Sequence, residues 1–362
     1  MKKLFLIIPS LHRGGAERVV SILANHLDRN IFDTTLVLLE KRGSYLKDLY
    51  EDIKIIDLQQ KRVSSSILPL VKLINKQKPD LVFSTLGHLN LSLMFLKIFL
   101  PKETKFIARE ASIPSILNKG EKYPKLFNLL YKKLYPKFDK IICQSNYMLN
   151  DLNQNFSIDK SKMVVINNPI DFEKIEQNLL NEKVEDLLPH NKKNIIAVGS
   201  LEAVKGYEQL IEAFVYIKRK DIMLSIIGEG SKKEELEKMI LDFGLNDRVK
   251  LLGFKDNPYQ YMKQAKLLVL TSQFEGFPNT VLEAMACGVP VVAYKCPGGI
   301  EEIILEDKNG WFVKYGDIYG LAKAIEKHIE HKLDIRQVKK SVYDRYNLKY
   351  IIKKYENLLV GL

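Results

Sequence analysis

Two doubly wound α/β domains facing a central cleft are what this chain of 362 residues predicts, on three observations. Short runs of Val, Ile, Leu and Phe alternate with helix-length amphipathic stretches, the pattern of parallel sheets covered by helices. The alternation runs through residues 4–145 and starts again through 194–294. The length exceeds what one ordinary core takes and suits two domains of about 150 to 200 residues each.

The elements follow in order. In the first half the expected strands are LFLII at 4–8, TTLVLL at 34–39, IKIIDL at 53–58, LVFST at 81–85, KFIAR at 105–109 and KIICQS at 140–145. Helices are expected from Gly15 to about Leu27, near 66–77, at 89–99 and from about 124 to 134. The second half repeats the logic with NIIAVGS at 194–200, IMLSIIGEG at 222–230, VKLLGF at 249–254, LLVLTS at 267–272 and PVVAY at 290–294. Its helices fall at about 207–218 and 231–243. Asn167–Asn168–Pro169 reads as a turn leaving the last strand of the first half. The expected domains are therefore 1–175 and 190–344, with a charged linker between them. A closing helix at 345–362 has the apolar spacing to cross back to the first domain.

Composition narrows the function. The chain is 46% hydrophobic and 28% charged, as soluble globular proteins are. Cys143, Cys287 and Cys296 form no CxxC pair, which argues for a reducing cytoplasm and against structural zinc. Among six histidines there is no HExxH, and no D-x-D pair stands ready for a metal beside a diphosphate, so a metal-independent mechanism is expected. MKKLFLIIPS begins like a signal peptide, but Leu4 to Ile8 is too short an apolar run and lacks a cleavage site. Residues 89–100, LNLSLMFLKIFL, carry Lys97 and stop at Pro101, well short of the roughly 20 residues of a membrane span.

Residues 1–180 hold +10 of the formal +12 charge. Within them 119–140, KGEKYPKLFNLLYKKLYPKFDK, interleaves Lys122, Lys125, Lys132, Lys133, Lys137 and Lys140 with Leu126, Phe127, Leu129, Leu130, Leu134 and Phe138. Two readings stand for this stretch: an interfacial helix on anionic lipid, or an apolar core stripe with a solvated lysine face. No nucleic-acid motif accompanies the basic residues, so nucleic acid is not an expected partner.

The most informative stretch is FEGFPNTVLEAMACGVPVVA at 274–293. Glu275 falls in a Gly/Pro loop, and Asn279 and Thr280 are good caps for the helix that follows. At the carboxyl edge of a parallel sheet, the backbone N–H groups from Asn279 to Leu282, Thr280 and Val281 included, would hold a diphosphate. Glu283 would then accept from ribose hydroxyls and Glu275 from those of a transferred sugar. Either acid alone reads as well as a helix-end or loop carboxylate. The loop PSLHRGGAERVV at 9–20 opens a helix at Gly14 and Gly15, and lacks the G-x-G-x-x-G of a nicotinamide enzyme. Lys205 and Gly206 precede a helix at the same crevice edge as Glu275. The lysine would neutralise a diphosphate as its bond to a sugar breaks.

Taken together, GGAER, GSLEAVKG, IIGEG, LLGF and EGFPNTVLEAMACGVPVVA resemble the retaining, GT-B-fold glycosyltransferases of family 4, the group 1 enzymes, over essentially the full chain. The fold so implied has two Rossmann-like domains. The resemblance implies a nucleobase beside Gly230 and Phe254, ribose on Glu283, and diphosphate on Lys205 and the backbone at Asn279 to Val281. It puts the donor sugar against Glu275 in a positioning role. The acceptor would bind the first domain, with Gly14 and Gly15 closing over the phosphates. Many relatives carry an arginine where this chain has Ser200; Arg13, Arg18 and Arg109 are the candidates to compensate. Glu110, in IARE, is the candidate group near the reacting carbon, and His88 a weaker one.

SLHRGGAERVV and GFKDNPYQYM are similar to bacterial N-acetylgalactosaminyltransferases that extend polyprenyl-diphosphate-linked glycans. The implied activity is transfer of an N-acetylhexosamine, GalNAc foremost, from a UDP-sugar to a lipid-linked or surface-polysaccharide acceptor. No cofactor beyond the donor is implied. The expected location is the cytoplasmic face of the membrane, reached through the basic first domain. A sugar-nucleotide epimerase or hydrolase of the same architecture, or a non-catalytic sugar-nucleotide-binding partner, are the alternatives.

Overall fold

A computed structural model describes residues 1–12, 14–180 and 187–362. Arg13 and part of the expected linker lie outside the described residues. The chain divides into two compact units, one of Met1–Pro169 with Lys349–Leu362, the other of Ile170–Leu348.

The first unit carries strands β1 (Lys2–Ile8), β2 (Phe32–Leu38), β3 (Lys54–Asp57), β4 (Leu81–Thr85), β5 (Lys105–Arg109), β6 (Lys140–Cys143) and β7 (Met163–Val165). They form one parallel sheet in the order β3-β2-β1-β4-β5-β6-β7. Its helices are α1 (Gly15–His26), α2 (Val63–Gln77), α3 (Gly87–Phe95), α4 (Pro114–Leu117), α5 (Pro124–Leu134) and α6 (Asn146–Phe156). The central strands are apolar on both faces because helices cover both, so Leu4 to Ile8 are all buried.

The second unit repeats the design with β8 (Lys193–Val198), β9 (Ile222–Ile227), β10 (Val249–Gly253), β11 (Leu267–Leu270), β12 (Val291–Lys295) and β13 (Gly310–Lys314). Their order is β10-β9-β8-β11-β12-β13, again all parallel. The helices are α7 (Phe172–Leu180), α8 (Tyr207–Tyr216), α9 (Lys233–Asp242), α10 (Tyr259–Gln264), α11 (Asn279–Ala286), α12 (Ile300–Ile303), α13 (Ile318–His328) and α14 (Ile335–Tyr346). Successive strand residues feed opposite cores: Ile195, Leu267 and Val292 one, Ile196, Leu268 and Val291 the other.

The first unit ends at Pro169 rather than at 175. The cause is α7, whose Ile175 is 1% exposed in the second unit's core and whose Asn178 carbonyl accepts from Gln260 Nε2 at 3.1 Å. The last helix, α15 (Leu348–Val360), returns to the first unit. There Tyr355 is fully buried against Phe83, and the Lys2 ammonium donates to the Val360 carbonyl at 2.8 Å. Strand β13 and helix α13 follow the last strand expected from sequence; Gly310 and the aromatic pair Trp311–Phe312 hide the aliphatic run that marked the others.

Each sheet reverses its winding once, between β1 and β4 in the first unit and between β8 and β11 in the second. Ligands of doubly wound sheets bind beyond the carboxyl ends of the strands at such a point, where the outgoing loops diverge and leave a crevice.

Candidate active site

Lys205 and Glu275 leave the two strands that flank the second unit's reversal. After β8 the chain makes a short 3-10 turn, Ala203–Lys205, and enters α8 through Gly206 at φ +61°. A side chain at Gly206 would be strained by that φ and would press on the Thr271 carbonyl at 2.4 Å. This close approach ties the two loops. Thr271 Oγ1 donates to the Lys205 carbonyl at 2.9 Å, and the Gln273 amide to the Val204 carbonyl at 2.8 Å. The Lys205 ammonium in consequence donates to Glu275 Oε1 at 2.7 Å. The two side chains are 23% and 12% exposed, low enough for the attraction to matter and open enough for a ligand to compete.

Sequence reasoning missed Ser272. Its Oγ donates to the same Glu275 Oε1 at 2.6 Å, so Oε2 takes no hydrogen bond from the described residues. The legible signal was a hydroxyl three positions ahead of the loop acid, directly after an apolar strand. The loop backbone is fixed as well, since the Glu275 amide donates to the Pro297 carbonyl at 3.0 Å. Tyr207 is buried at the start of α8, and burial, aided by the nearby Glu275, holds its phenol above the usual range.

Helix α11 begins one residue earlier than its sequence suggests: Pro278 is the cap, and no side chain caps the helix. Asn279, Thr280 and Val281 are its first three residues, so their amides stand at the positive end of the helix dipole. Glu283 sits on the second turn, 4% exposed. Gly230 follows β9, held where the Leu201 amide donates to the Glu229 carbonyl at 2.8 Å. Phe254, half-buried, follows β10. All of these lie at the carboxyl edge of the second sheet.

The first-unit candidates form a separate group. Glu110, directly after β5, is 2% exposed. Tyr135 Oη donates to its Oε1 in a short contact, and Asn90 Nδ2 donates to the same oxygen at 3.4 Å. Burial pushes its carboxyl up to about 8, against the lowering effect of Asn90 and Arg109. Arg109 is fully buried. Its guanidinium donates to Asn168 Oδ1 at 2.6 Å and to Tyr355 Oη at 3.3 Å, so it is engaged inside the unit and offers no exposed cation in place of the missing arginine at Ser200. Arg18 is half-buried on α1. His88 is exposed and bonded to Glu121 at 3.0 Å.

Gly14 caps α1 and Gly15 is its first residue. The carboxylate of Glu17 lies so close over Gly14 that a methyl group there would meet Oε2 at 2.0 Å. An anion of the chain itself already stands at this helix end. Burial raises the Glu17 carboxyl above its usual range.

Two parallel doubly wound sheets, one of them presenting a lysine and a carboxylate at its reversal beside a helix start without a side-chain cap, define a two-unit Rossmann-like architecture. The chain belongs to the group 1, family 4 glycosyltransferases of GT-B fold: the family model "Glycosyl transferases group 1" matches residues 180–345 and "Glycosyltransferase Family 4" matches 13–174. It is 32% identical over 342 residues, 91% of both chains, to the N-acetylgalactosamine-N,N'-diacetylbacillosaminyl-diphospho-undecaprenol 4-alpha-N-acetylgalactosaminyltransferase of Campylobacter jejuni. It is 25% identical to the amylovoran biosynthesis glycosyltransferase AmsD of Erwinia amylovora, covering 87% of this chain and 86% of that one. Among solved structures, Anabaena HepE in complex with UDP superposes with a TM-score of 0.82 at 23% identity over the whole of both chains, a likeness of fold. The protein is thus a glycosyltransferase.

Proposed function

We propose that the protein moves an N-acetylhexosamine, GalNAc foremost, from a UDP-sugar to a polyprenyl-diphosphate-linked glycan, with retention and without a metal. The observation that carries this reading is the Lys205–Glu275 ion pair at the reversal between β8 and β11. An incoming diphosphate competes with Glu275 for the ammonium and meets the first-turn amides of α11. Glu275, with Ser272 still on Oε1, then turns a fixed acceptor toward the donor sugar's hydroxyls. As the bond from the anomeric carbon to the phosphate oxygen breaks, Lys205 stabilises the growing negative charge. The acceptor hydroxyl attacks from the same face and its proton passes to the departing phosphate oxygen, so Glu275 positions and does not attack.

Glu283, Gly230 and Phe254 are assigned to ribose and base on the family resemblance. Glu110 fits a buried structural acid better than a group at the reacting carbon, because its carboxyl is enclosed by Tyr135 and Asn90. The lipid-linked acceptor is supported by the Campylobacter relative's name and by the basic first unit. No helix among the described residues is long and apolar enough to cross a membrane, so the proposed attachment is peripheral, on the cytoplasmic face.

The test is UDP release from a panel of UDP-sugars with and without polyprenyl-diphosphate glycan. Transfer should require the acceptor and be greatest with a UDP-N-acetylhexosamine. Acceptor-independent UDP release would favour the hydrolase or epimerase reading, and binding without turnover the non-catalytic one.

A further inference from the structure

The apolar run 89–100 is too short to span a bilayer, yet the fold buries only part of it. Helix α3 hides Leu89, Leu91, Leu93 and Met94, but its last residue, Phe95, is 66% exposed, and the turn after it leaves Ile98 79% and Phe99 61% exposed. Three large apolar side chains within five residues make a knuckle. A lone exposed apolar residue needs no explanation; a cluster of this size costs solubility and marks an interaction. The one charge in the run does not relieve it. Lys97 is drawn inward, donating to the Lys137 carbonyl in a short contact and pairing with Asp139 at 3.5 Å.

That inward contact sets the knuckle beside the end of α5. Toward that end Lys132 and Lys133 are exposed; nearer the start of α5 Leu126 and Leu129 are each 50% exposed beside the exposed Lys125, and the exposed Lys122 just precedes the helix. The core stripe of α5 is made by Tyr131 and Leu134 instead, so the buried stripe and the lysine-bearing side of this helix lie on different faces. Among the described residues none of these four lysines pairs with a carboxylate. The local acids are occupied, Glu121 by His88 at 3.0 Å and Asp139 by Lys97 and by Lys105 at 3.6 Å.

We propose that the α3 knuckle, Phe95, Ile98 and Phe99, is an insertion wedge that enters the acyl boundary of an anionic bilayer while the lysines of α5 lie on its phosphates. The occupant follows from having both features on adjoining elements: unpaired cations ask for anionic headgroups, and protruding rings and branched chains ask for hydrocarbon immediately behind them. A free phosphate would satisfy only the lysines. The wedge gives the basic surface depth and orientation that charge alone lacks. Its purpose rests on the lipid-linked acceptor proposed above, though its binding to lipid does not.

The experiment uses the full chain on vesicles of phosphatidylcholine with and without phosphatidylglycerol. Phe95→Ser, Ile98→Ser and Phe99→Ser together should cut partitioning onto the anionic vesicles by about tenfold or more, with the salt dependence kept. Reversing Lys125, Lys132 and Lys133 should instead abolish that salt dependence. An environment-sensitive dye on Ile98→Cys, the native cysteines all being buried, should shift to the blue on anionic vesicles. All substituted positions are solvent-facing, and transfer to a short-chain soluble acceptor checks that the variants are folded. Unchanged partitioning without a dye shift would overturn the wedge. So would a self-associated species that the triple variant dissolves while vesicle binding persists, since the knuckle would then cover a second copy. A wedge that behaves as expected on a protein that glycosylates no lipid-linked acceptor would leave the surface standing and remove the acceptor.

Discussion

The two units share one winding and place a cation and a carboxylate at the carboxyl edge of a sheet, yet they use them in opposite ways. In the second unit Lys205 and Glu275, 70 residues apart, meet at 2.7 Å in a site that solvent still reaches. In the first, Arg109 and Glu110 are neighbours in sequence but turn apart: the guanidinium serves Asn168 and Tyr355, and the carboxyl takes Tyr135 and Asn90. Both are buried. A charged pair that can exchange partners is suited to a ligand, because displacing it costs little; a charge sealed among neutral amides and phenols joins elements of a fold. Arg109 links β5, the segment leaving the first unit at Asn168 and the returning helix α15.

The largest effect that tests the comparison is at Lys205. Lys205→Ala should lower turnover about 10²- to 10³-fold with the thermal midpoint nearly unchanged, read by steady-state transfer and by unfolding monitored with circular dichroism. A variant with normal turnover would take lysine out of the chemistry and erase the contrast.

Next is Arg109→Leu. Loss of the guanidinium leaves Asn168 and Tyr355 unpaired in buried surroundings, a destabilisation of about 2–4 kcal/mol, measured by urea unfolding. UDP affinity, measured by calorimetry, should not move. A fall in UDP affinity without a loss of stability would make Arg109 the substitute phosphate cation.

The effect at Glu110 is told apart by its pH dependence. The Glu110 carboxyl titrates near 4.5 when unfolded and near 8 when folded. As pH rises, the unfolded chain sheds this proton first, so stability falls across that window and the penalty is constant above it. Glu110→Gln should therefore gain in thermal midpoint over the parent between about pH 4.5 and 8, and gain nothing below. A pH-independent difference would mean that the carboxyl is not protonated in the fold.

Most of the fold was legible because parallel strands covered on both faces must be apolar throughout, and eleven short elements of that kind punctuated by turns leave few other architectures. Strand β13 and helix α13 escaped because the aromatic residues there pack as the aliphatics do without giving the same signal. The helix start at α11 was misjudged by one position, since Pro278 supplies the extended backbone of a cap without a side-chain acceptor. For the site, Lys205 and Glu275 were visible as residues at the crevice edge, but their pairing was not.

By itself the sequence determined the fold class, the repeated winding and the family, because hydrophobic period, turn chemistry and motif spacing are local properties. Only the tertiary structure decided which charges are available. Exposure and partnership depend on residues brought together across long stretches of chain, as Lys205 is on Glu275, Tyr135 on Glu110 and Tyr355 on Arg109. The same held for the apolar run at 89–100, whose composition excluded a membrane span while the fold alone chose which of its side chains to leave in water.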